Sequence, residues 1–322
     1  MQAIVHETYG GPEVLELRAV DTPTPYEDRV LVRVHAASVN SYDWHRLTGL
    51  PYIGRLGEGL RRPKTQTPGV DVAGTGEAVG RNVTQFRAGD EVFGAANGSF
   101  AEYACARQEN IVVKPKDITF ELAAAIPMAG TTALQALRDK GRLQERQHVL
   151  INGAAGGVGT FAVQIAKALG AEVTGVCSTE NVDTVRSIGA DHVIDYTVGD
   201  FASEPRQYDV MIDNAGSRSL SDCRRALTRN GIYVIVGGPK KGRVLGPARG
   251  MLKAVLTFPF VSQKAAPMIA KYTQDDLRFL GELVTAGQVT PVIEHSYQLS
   301  EVPEAIRRIG TGHAKGKLVV AI

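Results

Sequence analysis

The sequence has no excess of either charge, no paired cysteines and no apolar run long enough to cross a bilayer. Its 36 Lys and Arg stand against 34 Asp and Glu, a formal net charge of +2. So balanced a chain carries no electrostatic footprint for nucleic acid or an anionic membrane surface. The three cysteines, Cys105, Cys177 and Cys223, lie far apart with no Cys-x-x-Cys pair. That excludes a disulfide framework and fits a reducing compartment. The longest apolar stretch, near Met251–Val261, is broken by Lys253 and Pro259 and is too short for an integral membrane segment. The opening residues, MQAIVHETYGG, hold no basic segment followed by an apolar core. No secretory signal is read there, and the expected location is cytoplasmic.

What the chain does have is length and two patterns. At 322 residues it exceeds one typical domain and suits two. With 43% hydrophobic and 22% charged residues it has a globular composition. The first ~120 residues read as β-rich. In RVLVRVHAASVN, Val30, Val32 and Val34 alternate with Leu31, Arg33 and His35. Short strand-like pieces follow in VDVAGTGEAVG, DEVFGA, SFAEYACA and NIVVKP, punctuated by Gly, Asn and Pro. From Thr119 the pattern changes. FELAAAIPMAGTTALQALRD reads as helix on both sides of Pro127, and strands then alternate with helices: HVLING, AEVTGVCS, HVIDY, YDVMIDNAG and IYVIVGG are the strands. Repeated βα units imply a parallel sheet covered by helices. KGKLVVAI at the C-terminus reads as one more strand, placed back in the N-terminal domain.

The turn Gly153-Ala154-Ala155-Gly156-Gly157-Val158-Gly159 follows a strand and opens a helix. The helix carries one apolar stripe: Val158, Phe161, Ala162, Ile165, Ala166 and Leu169 fall on one face. Small residues leave the backbone N–H groups and the positive end of the helix dipole open to a pyrophosphate, and Gly159 lets the helix approach the strand. The expectation is a dinucleotide site built on Gly153, Ala155, Gly156, Gly157 and Val158. The next strand ends in Ser178-Thr179. Hydroxyls there suit a 2′-phosphate, or cap the helix that follows. Glu180 argues for ribose hydroxyls and NADH, while Arg186 offers compensating charge. The reading favours NADPH, with NADH as the alternative. Asn214-Ala215-Gly216 and Gly237-Gly238 close two later strands, the ends at which such sheets bind ligands.

Together with the β-rich front, seven segments resemble the medium-chain dehydrogenase/reductase superfamily, in its zinc-free quinone oxidoreductase branch. They are AASVNSYDWHRLTG, PGVDVAG, AGDEVFG, AAIPMAGTTALQAL, NGAAGGVG, GADHVIDY and GHAKGKLVV, and they run nearly end to end. The resemblance implies an α/β fold: a doubly wound Rossmann sheet and a GroES-like β-rich domain, with a cleft between them. The expected boundaries are 1–120 with 289–322 for the GroES-like catalytic domain, and 121–288 for the Rossmann domain. A helical insert at about 244–272 is expected to act as lid or dimer contact.

Zinc-dependent members carry a Cys where this chain has Asn40, a His where it has Val70 and a Cys where it has Met128. None of the three replaces the thiolate and imidazole set that zinc prefers. Three cysteines cannot build the four-cysteine structural lobe either, and no metal site is expected. Without that Lewis acid, alkoxide formation loses its support. A conjugated acceptor takes the charge on its own oxygen.

The resemblance places Asn40 and Thr132 by the nicotinamide, and Tyr42, Asp43 and Tyr52 along the acceptor pocket, with a tyrosine able to donate to a developing oxyanion. Tyr196 is expected on the adenosine side, or as a cap on the sheet edge. The segment Lys315-Gly316-Lys317 returns to the cofactor cleft, with Lys315 as a cofactor contact, or is a solvated basic loop, and Pro239–Arg243 reads as another basic loop. The expected activity is hydride transfer from NAD(P)H to quinones or α,β-unsaturated carbonyls, and by the resemblance a homodimer is expected. The alternative is an NADPH-binding redox sensor or structural protein with little turnover.

Overall fold

The computed structural model describes residues 1–204, 207–238, 258 and 261–322. Two compact units emerge. The first holds Met1–Thr131, Tyr272–Gly287 and Pro291–Ile322; the second holds Thr132–Lys271 and Gln288–Thr290.

In the first unit, strands numbered in chain order are β1 (Gln2–Val5), β2 (Glu16–Ala19), β3 (Arg29–Val39), β4 (Asp71–Val79), β5 (Glu91–Asn97), β6 (Tyr103–Val113), β13 (Ile293–Gln298) and β14 (Lys317–Ala321). The main sheet runs β13-β14-β3-β4-β5-β6, and β6 also pairs with β3. The strands β3 to β6 therefore close on themselves, which removes their free edges. The alternation in β3 puts Val30, Val32 and Val34 inside, against Val72, Val92 and Ile111. The far end of β3 pairs antiparallel with β14, Val39 opposite Leu318. SFAEYACA and NIVVKP, two pieces in sequence, fall largely within the single strand β6.

Three helices matter for the site. Phe120–Ala125 and Pro127–Gln135 lie on either side of the break expected at Pro127, whose ring removes a helix hydrogen bond. Ser41–Thr48 was not read from the sequence. Its first turn is held by Asp43, whose Oδ2 accepts the Asn40 backbone N–H at 2.8 Å. Burial pushes the Asp43 carboxyl up to about 7, opposed by that hydrogen bond and aided by nearby Asp71.

The second unit is a six-stranded sheet: β7 (His148–Asn152), β8 (Glu172–Cys177), β9 (His192–Asp195), β10 (Tyr208–Asp213), β11 (Leu227–Ile235) and β12 (Lys264–Pro267). Every pairing in it is parallel. The order β12-β11-β10-β7-β8-β9 winds outward from the centre in both directions. The winding reverses between β7 and β10, where open α/β sheets bind ligands.

The compact units divide the chain at other points than 120/121 and 288/289: residues 121–131 and the helix Gln274–Thr285 fall in the first unit. That helix buries Leu277 and Leu280, and Gln274 Nε2 donates to the Gln108 and Ile111 carbonyls. Its apolar stripe needs a partner, and the β-rich unit supplies one. Of the expected helical insert at 244–272, residues 264–267 are instead the strand β12, parallel to β11. The rest of 244–260 except Phe258, and the basic loop 239–243, lie outside the described residues.

Two outcomes follow. Alanine at Gly310 would set its Cβ 2.5 Å from the ring of Trp44. Gly310→Ala is expected to cost about 1–3 kcal/mol and to shift the emission of this single tryptophan; unchanged emission and melting would contradict that packing. For Asp43, the folded pKa lies above the ordinary 3.8, so the folded chain holds the extra proton. Stability attributable to it falls as pH rises from ~4 to ~7, by about 1.4 kcal/mol per pH unit at most. Denaturant titrations of wild type and Asp43→Asn should diverge across that window; a pH-independent difference would contradict the assignment.

Candidate active site

The glycine turn leaves β7 at Gly153, whose φ of +79° favours glycine. Gly153 and Ala154 both donate to the Val176 carbonyl, at 3.1 and 2.9 Å, which ties the turn to β8. Gly156 caps the helix Gly157–Ala168 with extended backbone and no side-chain cap. A Cβ on Gly159 would sit 2.1 Å from the Gly153 carbonyl oxygen, so the close approach of helix to turn requires glycine there. Phe161, Ala162, Ile165 and Ala166 are fully buried beneath it. The uncapped first turn and the small side chains fit an anionic pyrophosphate.

The neighbouring strand end is organised by Asp213, which sequence reading missed. It is fully buried. Its Oδ1 accepts from Asn152 Nδ2 at 2.8 Å and from the Ala215 and Gly216 N–H groups at 3.2 and 2.8 Å. Its Oδ2 accepts from the Tyr233 hydroxyl at 2.6 Å. Burial, then the charge of Asp213, holds that phenol well above its usual range. Asn214 is tied to the Asn152 carbonyl through Nδ2 at 3.1 Å, and its Oδ1 is buried with no hydrogen-bond partner. Such an orphan acceptor invites a ligand donor. Gly237 lies against the Asn214 backbone: a Cβ there would meet its main-chain carbonyl oxygen at 2.2 Å. The only sequence signal for Asp213 is an acidic residue ending an apolar strand.

At the tip of β8, Ser178 Oγ accepts from Asn181 Nδ2 at 2.8 Å. The Thr179 hydroxyl meets that of Thr197 at 2.8 Å, which donates to Asp195 Oδ1 at 2.8 Å. These hydroxyls hold the Asp195 carboxyl below its usual range. Nothing in the HVIDY segment singles out Asp195 from sequence alone. Tyr196 is half exposed beside it, its N–H bonded to the Cys177 carbonyl. Glu180 is exposed. Arg186 reaches Asp183 on its own helix at 3.7 Å and lines a polar recess of about 310 Å³ with Asp191, His192 and Glu204.

In the first unit, Asn40 is 7% exposed and stands in a network centred on Asp71, which is fully buried. Asp71 Oδ2 accepts from Asn40 Nδ2 at 2.9 Å and from Ser38 Oγ at 2.7 Å. Its Oδ1 accepts the Met128 N–H at 3.0 Å. Lys317 Nζ, on a residue 2% exposed, donates to Asn40 Oδ1 at 2.5 Å and lies 3.6 Å from Asp71 Oδ2. Burial pushes Asp71 up and Lys317 down, each opposed by the other's charge. Asp43 Oδ1 and the Tyr272 hydroxyl are buried without partners. Burial raises Tyr272, with the charges of Asp71 and Asp43 adding to it.

The tyrosines named from sequence are outside this network. Tyr42 is 41% exposed and donates to Glu58 Oε1 at 3.1 Å. Tyr52 is 43% exposed, with the Arg55 guanidinium 4.8 Å from its ring centre. Thr132 is half-buried, while the hydroxyl of its neighbour Thr131 is buried and unpartnered. Lys315 donates its backbone N–H to Glu294 Oε2 at 2.6 Å. The lysine that enters the buried network is Lys317, two residues on, the first residue of β14 and set there by the turn at Gly316. Among the described residues, no group of three or more His, Cys, Asp or Glu side chains is arranged to hold a metal ion.

Comparison with known proteins places the chain. Residues 26–116 match the alcohol dehydrogenase GroES-like domain, and 188–320 match the zinc-binding dehydrogenase family. It is 34% identical over 360 residues to the mitochondrial NAD(P)H oxidoreductase RTN4IP1 of Mus musculus, covering all of this chain and 89% of that one. It is 31% identical over 337 residues to the 2-methylene-furan-3-one reductase of Solanum lycopersicum, covering 99% and 79%. The solved quinone oxidoreductase from Coxiella burnetii superimposes with a TM-score of 0.85 at 31% identity, covering 100% and 99%. The closed β-rich sheet, the doubly wound sheet and these likenesses agree: the chain belongs to the zinc-free quinone oxidoreductase branch of the medium-chain dehydrogenase/reductase superfamily, a family of oxidoreductases.

Proposed function

We propose that the protein is a zinc-independent, NADPH-dependent reductase of quinones and α,β-unsaturated carbonyls. The observation that carries this reading is the donor set around Asn40. An amide, Val70 and Met128 occupy the positions at which metal-dependent relatives carry thiolates and an imidazole. The amide is bonded to Lys317 and Asp71, and Met128 offers its N–H to Asp71. An ammonium beside those positions repels a cation. Lacking a Lewis acid, the chain suits acceptors whose conjugated oxygen takes up charge. Similarity to an NAD(P)H oxidoreductase supports a nicotinamide cofactor, and similarity to a quinone oxidoreductase and a 2-methylene-furan-3-one reductase supports this acceptor class.

A reduced nicotinamide, when bound, supplies the hydride. In this proposal the chain's own residues hold and orient the reactants. Ala155, Gly157 and Val158 present backbone N–H groups to the pyrophosphate, with Gly153 making the turn and Gly156 the side-chain-free cap. Ser178 and Thr179 meet the adenosine ribose and its 2′-phosphate, with Tyr196 against the adenine. Asn214, whose Oδ1 lacks a partner, accepts from the carboxamide side, with Gly237 keeping the approach clear and Thr132 and Lys315 completing the contacts. Asn40 orients the acceptor, Tyr42 and Tyr52 wall it, and solvent returns the proton. The three free thiols support a reducing compartment, cytoplasmic in this reading, and a homodimer completes it.

Two outcomes test the reading. Purified protein should oxidise NADPH faster than NADH when a simple quinone or enone is added. Equal rates would overturn the cofactor preference, and no oxidation with either would overturn the reductase. Elemental analysis of active protein should find zinc far below one equivalent, with activity surviving a chelator; stoichiometric zinc whose removal abolishes turnover would refute metal independence.

A further inference from the structure

The Asn40 amide has two chemically different ends, and its surroundings distinguish them. Lysine ammonium is a donor only and ionised carboxylate an acceptor only. With Lys317 Nζ at Oδ1 and Asp71 Oδ2 at Nδ2, the orientation found makes two charge-assisted hydrogen bonds. The flipped amide would set N–H against ammonium and oxygen against carboxylate, replacing two attractions with two repulsions. The second N–H of Nδ2 has only the Ser38 carbonyl at 3.4 Å, a long contact that a better acceptor can displace.

We infer that Lys317 is a positioning residue that acts through Asn40: together with Asp71 it fixes which way the amide faces, so that the weakly held N–H of Nδ2 is presented to the acceptor carbonyl. The inference rests on the proposed reductase reading for its substrate and on the Lys317–Asn40–Asp71 geometry for its mechanism. Nothing about Lys317 touches the reacting atoms. Its ammonium also draws electron density through the amide, which strengthens the N–H as a donor when negative charge develops on the substrate oxygen. Asp71 keeps the ammonium in place and is itself anchored by Ser38 and the Met128 N–H. Four segments distant in sequence thereby set one hydrogen bond.

The test is a double-mutant cycle with Lys317→Met, Asn40→Ala and both together. Lys317→Met is expected to lower kcat for a quinone or enone by about 10- to 100-fold, with the NADPH dissociation constant unchanged within about twofold. In the Asn40→Ala background the same substitution should change kcat by less than about twofold, because its effector is gone. Multiplicative losses in the double variant would overturn the inference, as they would mark Lys317 as a general structural support. A second readout needs no turnover. The Asn40 side-chain amide, identified in ¹⁵N spectra by its disappearance in Asn40→Ala, should exchange slowly in wild type and fast in Lys317→Met. Slow exchange retained in Lys317→Met would overturn the inference. If wild type reduces no acceptor, the reductase reading fails and this exchange measurement alone decides the positioning role. Lys317→Arg, which keeps the charge, should recover the slow exchange; if Lys317→Met does not fold, Lys317→Gln takes its place in every arm.

Discussion

A lysine ammonium and an aspartate carboxylate buried together are the constraint on which the first unit depends. Neither Lys317 nor Asp71 has more than marginal exposure, and taking such charges out of water costs several kcal/mol each. The cost is tolerable only where partners are complete. Completing them requires the end of β3, the start of β4, the helix that begins at Pro127 and the start of β14 to meet at one point. The return of the C-terminal strand to β3 is thus a condition for burying Lys317. Gly316, with φ of +83° and a would-be Cβ 2.3 Å from the Val292 carbonyl oxygen, makes the turn that delivers it.

The second unit solves a different problem. The strands β7, β8 and β10 at the heart of its parallel sheet are almost wholly buried. At the reversal between β7 and β10 a single carboxylate, Asp213, gathers the N–H groups of the following loop and the Asn152 amide. Beside it Asn214 Oδ1 is a buried acceptor without a hydrogen-bond partner. The glycine turn beside it keeps its helix N-terminus open for the same physical reason: no side chain fills it.

The sequence made the architecture legible wherever a period or a glycine carried it. Alternation in Val30, Val32 and Val34, the helical stripe after Gly159 and the repeated βα units led directly to β3, the helix Gly157–Ala168 and the doubly wound sheet. Domain boundaries were less legible, because the helix Gln274–Thr285 has an amphipathic pattern that does not say which sheet it packs on. Site residues divided along the same line. Asn40 and Asn214 stand out in loop motifs, whereas Asp71 and Asp213 do not, and Lys317 is visible only as part of the segment Lys315-Gly316-Lys317. Their importance lies in contacts spanning up to 277 positions, and a lone charged residue inside a strand motif does not announce its partner. Which of Lys315 and Lys317 is buried depends on the left-handed turn at Gly316 between them, which spacing alone does not show.

The most direct test of the account is to follow the hydride itself. Metal-depleted protein would be given NADPH deuterated at the transferring position and a simple enone, and the product analysed for deuterium. The account predicts one deuterium at the β-carbon of the reduced enone and a rate slowed by the isotope. Product without deuterium, or formation that resumes only when zinc is added, would contradict direct hydride transfer by a chain that relies on a buried ammonium and an oriented amide.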